Sequence, residues 1–146
     1  MKLRENAFAL EKFTGKDCQI QALYEIIIER THNISNTTPP SIKEHIKFTL
    51  NHPYRIWYLV KVGFNYVGSA YLMENNCVGI NLIDNFDLFP NVVEEILKKH
   101  KPLKEIKSVR PPYFYINIAP GNRKIKSQLR KLQARKIQST FILSLA

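Results

Sequence analysis

The sequence predicts an α/β (α+β) fold in which a mixed, mostly antiparallel central sheet is flanked by about four helices. Residues 54–83 are rich in aromatic and β-branched residues with only short turns between runs, the pattern of an antiparallel meander. Helical periodicity occurs twice before that centre and twice after it. The chain has 146 residues and an apolar content of 45%, which suits one domain over 1–146. A chain of that length buries roughly two-thirds of its unfolded surface.

Each element has a local reason. Residues 8–13 alternate apolar and polar at several positions and read as a first strand. Thr14, Gly15 and Lys16 break it, and Asp17 can cap a helix to about 30 with Ile20, Leu23, Tyr24 and Ile27 at helical spacing. A polar connector, 31–40, ends in Pro39 and Pro40, which neither a helix interior nor a central strand accepts. Ser41 and Glu44 match a capping box opening a second helix to about 50, with Ile42, Ile46 and Leu50 on one face. Strands at 54–62, 66–73 and 77–83 follow, separated by turns at 63–65 and 74–76.

A third helix is expected over 91–100, packing Val92, Val93, Ile96 and Leu97, with Asn91 and Glu94 as a capping pair. Lys98, Lys99 and His100 fall in its last turn, where cations suit the dipole. Residues 102–112 read as a connector or a short strand, and 113–119 as a strong strand. Asn122 can cap a fourth helix to about 133 that buries Ile125, Leu129 and Leu132. Residues 137–145 read as a closing strand.

Composition excludes several classes. No apolar run approaches the ~18 residues a membrane span needs, so no membrane association is expected. Residues 1–6 have no apolar stretch behind them and do not read as a signal peptide. Cys18 and Cys77 are too few and too far apart for a disulfide framework or a metal site. They read as reduced core thiols, which points to a cytoplasmic protein. Charge is unevenly spread: residues 1–97 hold nine Lys/Arg against eleven Asp/Glu, whereas 98–146 hold thirteen against Glu105 alone. That asymmetry implies either an anionic partner or a solvated basic face.

Three segments carry a family resemblance: Pro39-Pro40-Ser41 with Glu44 and His45; Trp57 to Val60 with Val67-Gly68-Ser69; and Asn117-Ile118-Ala119-Pro120 with Asn122 and 138–143. In this order and spacing they resemble the GNAT superfamily of N-acetyltransferases from about Phe8 to Leu143. The resemblance implies a GNAT-like fold and transfer of an acetyl group from acetyl-CoA to a small amine or amino sugar. It also implies a glycine-rich loop whose backbone N–H groups cradle the CoA pyrophosphate. The chain departs there, since no glycine lies between Gly79 and Gly121 and the loop holds Asp84, Asp87 and Pro90. A second departure is Leu129, where many relatives place the Tyr that protonates the leaving thiolate. Gln133 and Ala134 likewise replace a Gly-Phe pair.

On that resemblance, cofactor contacts are expected at Asn81, Leu82 and Ile83, at Asn91, and at Asn117, Asn122, Arg123 and Lys124. Arg123 and Lys124 crowd a helix start, where a bound anion would relieve their conflict with the dipole. Candidate catalytic residues are His32, whose ordinary pKa suits a base, Glu74 acting through water, and Asn117. His45 reads as structural and His52 as a turn residue. The same departures also allow a GNAT-like protein that binds or regulates without catalysis. A weaker alternative is nucleic-acid binding through Arg123, Lys126 and Arg130, which share one helix stripe. A homodimer is also allowed.

Overall fold

A computed structural model describes residues 8–30 and 38–145. A five-stranded sheet runs in the order β1-β2-β3-β4-β5, with β1 Phe8–Lys12, β2 Ile56–Val62, β3 Asn65–Leu72, β4 Cys77–Leu82 and β5 Tyr115–Ile116. All neighbours are antiparallel except β4 and β5, which are parallel. Helices α1 Asp17–Glu29 and α2 Ile42–Leu50 precede β2. A 3₁₀ turn, Phe86–Leu88, leads into α3 Phe89–Lys99, and α4 Arg123–Lys131 follows β5. The expected fold class is therefore present, with four α-helices around a mixed sheet.

Alternation along the strands splits the core in two. Tyr58, Val60, Ala70, Leu72 and Val78 pack against Val92 and Ile96 of α3. On the opposite face, Trp57 and Leu59 pack against Ala22, Leu23 and Ile26 of α1. The local signals hold at α2, where the Ser41 hydroxyl accepts the Glu44 N–H at 3.2 Å and the Glu44 carboxylate accepts the Ser41 N–H at 3.1 Å. At α1 the arrangement differs: Asp17 is the first helical residue rather than the cap. The fully buried Gln19 organises the start instead, its Oε1 accepting the Thr14 N–H at 2.9 Å and its Nε2 donating to Glu11 and to the Lys12 carbonyl at 3.0 Å.

Three sequence expectations are corrected. Helix α3 begins at Phe89, two residues before Asn91, because Pro90 suits the first turn and the 3₁₀ turn feeds directly into it. Cys18 is exposed, in the first turn of α1; of the two cysteines Cys77 alone is buried. The closing strand over 137–145 does not form. β5 has only two paired residues and offers almost no edge for a further strand, and Phe141, Ile142 and Leu143 are 79%, 94% and 94% exposed.

Candidate active site

The site forms where β4 loses its outer partner. Cys77 and Val78 pair with Tyr115 and Ile116, and beyond them the two strands part. Backbone groups alternate between the two edges of a strand. The Met73 N–H reaches the Cys77 carbonyl and the Ile83 N–H reaches the Val67 carbonyl at 3.0 Å, so odd-numbered residues of this stretch face β3. The amides of Ile80 and Leu82 therefore face the open edge. A narrow cleft of about 30 Å³ lies there, lined by Ile80, Leu82, Phe86, Asn122 and Ile125, with Arg30 and Asn81 at its back.

On the helix side of the same strand lies a cavity of about 620 Å³, between the sheet and helices α1 and α2. Its apolar wall includes Leu23, Ile26, Phe48, Tyr54, Trp57 and Tyr71. The aromatic residues brace one another: Tyr54 and Tyr71 stack with centroids 4.1 Å apart, and Tyr54 and Phe48 meet Trp57 edge-on at 5.0 and 6.0 Å. Gly79 makes this wall possible, because a Cβ there would sit 2.0 Å from Tyr71 Cζ. Without one, the Tyr71 ring lies flat across β4. Burial raises the pKa of both tyrosine hydroxyls, so they stay neutral donors.

Polar groups share the cavity with that wall, among them Arg30, Glu44, Ser69 and Asn81. Arg30 ends α1, and its Nη1 donates to the Asn81 side-chain oxygen at 3.3 Å. This pair lines both the cavity and the cleft, so the two spaces meet there. Three buried polar atoms have no partner among the described residues: Arg30 Nε, Trp57 Nε1 and His45 Nδ1. His45 Nε2 lies 2.9 Å from the Ile20 carbonyl, which can only accept. The neutral ring therefore carries its proton on Nε2 and presents a lone pair on Nδ1. Burial lowers its pKa, which keeps it neutral.

The expected site residues separate into those that meet here and those that do not. Asn81, Leu82 and Asn122 share the cleft. Asn122 caps α4, its Oδ1 accepting the Ile125 N–H at 3.2 Å. Arg123 is exposed at the first position of α4, and Lys124 Nζ lies 4.8 Å from the Phe86 ring centroid, tying α4 to the 3₁₀ turn. Asn117 follows β5 and directs Nδ2 at Cys77 Sγ, 3.7 Å away. Asn91 sits exposed in the first turn of α3, outside both spaces. Glu74 is exposed in the β3–β4 turn, its carbonyl accepting from Arg110 at 3.0 Å, also outside both. His32 lies outside the described residues.

No family model matches the chain, and no curated protein matches its sequence. Solved structures do match. An acetyltransferase from Thermus thermophilus superimposes with a TM-score of 0.67 at 14% identity, covering 92% of this chain and 90% of that one. A possible acetyltransferase from Clostridium difficile 630 gives 0.57 at 9% identity, covering 95% and 97%. An aminoglycoside acetyltransferase from an uncultured soil metagenomic sample, in complex with sisomicin, gives 0.53 at 14% identity over 95% and 97%. The chain has the GNAT acetyltransferase fold.

The open edge of β4 carries Asn81 and Leu82, two of the positions the sequence resemblance assigned to the cofactor. Sequence reasoning anticipated that strand edge but missed the cavity beside it. Arg30, Trp57 and Tyr71 come from three separate elements, and His45 read as structural. The one local signal was Arg30, a lone cation at the end of an otherwise apolar helix face. Among the described residues, no helix is long and apolar enough to cross a membrane, and no cluster of three potential metal ligands occurs.

Proposed function

We propose that the protein is an acyl-CoA-dependent N-acyltransferase, using acetyl-CoA and acting on a small amine or amino sugar seated in the 620 Å³ cavity. One observation carries the reading: two concavities on opposite sides of β4 share Arg30 and Asn81, as a site joining two substrates requires. The sisomicin-bound neighbour supports an amine acceptor of small-molecule size.

The residues fit an acyl-CoA in part. The free amides of Ile80 and Leu82 suit the carbonyls of a pantetheine arm, and Arg123 and Lys124 suit its phosphates. The loop before α3 does not form a phosphate nest. Its Leu88 and Phe89 N–H groups bond to Asn85 and Phe86 carbonyls, Pro90 has none, and Asp84 and Asp87 oppose an anion. Bound, the thioester supplies an activated acyl carbon. The chain's own residues hold the acceptor in a cavity of mixed aromatic and polar lining and keep Asn81 at the junction. No side chain here is assigned as leaving-group acid, because Leu129 cannot donate a proton.

Affinity for acetyl-CoA is therefore expected to be weak and carried by α4 rather than by the loop. Calorimetric titration tests this. Heat that saturates at sub-millimolar acetyl-CoA and weakens on Arg123→Glu/Lys124→Glu supports it; silence at millimolar ligand contradicts it. The 30 Å³ cleft, with Phe86 and Ile125 on its walls, favours a second reading in which the fold binds a small molecule without transferring an acyl group. That reading predicts cavity binding and no response to acetyl-CoA. Cys77, free and buried, is consistent with a cytoplasmic protein. Exposed Phe141, Ile142 and Leu143 favour a homodimer, which sedimentation velocity tests.

A further inference from the structure

The side-chain amide of Asn81 is held at one end and open at the other. Its Oδ1 accepts from Arg30 Nη1 at 3.3 Å. A guanidinium only donates, so the oxygen must be the atom that faces it, and Nδ2 points elsewhere. Among the described residues Nδ2 donates to nothing. It is also not one of the three buried orphan atoms, so it is accessible to a ligand. The strand register explains its position. Asn81 stands opposite Ser69, and Ser69 and Tyr71 alternate along β3, so the Asn81 side chain shares the cavity face of the sheet with Ser69, Tyr71 and Trp57. The amides of Ile80 and Leu82 leave along the strand edge into the cleft instead. Asn81 lines both spaces, so its Nδ2 is an open donor at their junction.

Arg30 keeps the amide in this orientation. It caps the C-terminal end of α1, where a cation suits the helix dipole. It forms no ion pair among the described residues, whose salt bridges are Lys61–Glu11 and Lys99–Glu95. Its charge therefore bears on Asn81 Oδ1, which polarises the amide and strengthens Nδ2–H as a donor. We propose that Asn81 is a catalytic residue whose Nδ2 donates to the acyl carbonyl oxygen, and that Arg30 is the positioning residue that orients it. This rests on the acyltransferase reading. In the transfer the amine lone pair forms the new C–N bond to the acyl carbon. The carbonyl electrons move onto oxygen and return as the C–S bond breaks. The proton lost by the amine passes through solvent to the departing thiolate. Charge developing on the oxygen meets a donor already in place, so no reorganisation is needed at that moment.

The carbonyl itself reports on this contact, without turnover, when acetyl-CoA carries carbon-13 at the acyl carbon. Titration with the wild-type protein is expected to move that resonance downfield until it saturates. Asn81→Asp keeps the size of the side chain and an oxygen toward Arg30 but removes the donor; Asn81→Ala removes the donor without adding charge. Both should lose most of the shift while keeping the wild-type circular dichroism spectrum. Amine-dependent thiol release should fall about 100-fold or more in Asn81→Ala, the scale of a lost oxyanion donor, and the loss should lie in kcat rather than in KM. Arg30→Gln should lose less, and adding it to Asn81→Ala should cost nothing further, as expected of a residue that acts through another. A shift that survives in both Asn81 variants, a kcat unchanged in Asn81→Ala, or fully additive losses in the double variant overturns the proposal. Bound acetyl-CoA whose carbonyl does not shift in the wild type removes this inference and leaves the acyltransferase reading standing. Absence of acetyl-CoA binding removes both.

Discussion

Asn76 shows how much one residue can hold. It is fully buried, with a left-handed φ of 71° that asparagine tolerates better than most residues. Its Nδ2 donates to the Leu103 and Pro111 carbonyls at 2.9 and 2.8 Å, and its Oδ1 accepts the Leu103 N–H at 2.7 Å. The connector between α3 and β5 is thereby clamped to the β3–β4 turn, next to the strand that opens into the site. Asn76→Ala leaves three partly buried backbone groups without their partner and should cost about 2–3 kcal/mol, read by urea unfolding. Glu11 makes the corresponding prediction for pH. Hydrogen bonds from Tyr66 and Gln19, with Lys61 3.6 Å away, hold its pKa below the ordinary 4.5. The unfolded chain has the ordinary value, so this contribution is complete above it and is lost as pH falls through the lowered folded value. Thermal midpoints should therefore drop more steeply between about pH 5 and about pH 3 in the wild type than in Glu11→Gln.

At the scale of elements, the end of α4 explains one departure from the family pattern. The Ala134 N–H bonds to the Leu129 carbonyl and the Gln133 N–H to the Arg130 carbonyl, both at 3.0 Å, which is a Schellman ending. Gln133 occupies its left-handed position at φ 58°, where the family pattern that the sequence resembles has glycine. Gln133→Gly should raise stability by about 0.5–1 kcal/mol by removing that strain, seen as a higher thermal midpoint with an unchanged circular dichroism spectrum. Local signals of this kind were legible in the sequence. The Ser41/Glu44 box, the Asn122 cap and the 54–83 meander all form because their partners lie within a few residues. Features that need distant partners were not legible. Asn76 looked like a plain turn residue because its bonds reach 27 and 35 positions ahead. The 137–145 strand has the right residues, but a strand also needs an edge, and β5 supplies two residues.

For the whole molecule, the candidate site was half legible. Asn81, Leu82 and Asn122 were named in advance because the family resemblance implied cofactor contacts there, and the structure brings them to one cleft. The cavity draws on α1, α2, β2, β3 and β4 together, and no spacing in the sequence brings Arg30 to Asn81 across 51 positions. That junction is what makes a two-substrate reaction geometrically reasonable, and the account rests on it. The most direct test is release of free CoA thiol from acetyl-CoA, followed with and without a saturating amine. The account predicts thiol release that depends on the amine, saturates in both reactants and falls at least tenfold in Arg30→Gln. Release no faster than spontaneous hydrolysis of acetyl-CoA, with the amine shown by Trp57 emission to occupy the cavity, would contradict it.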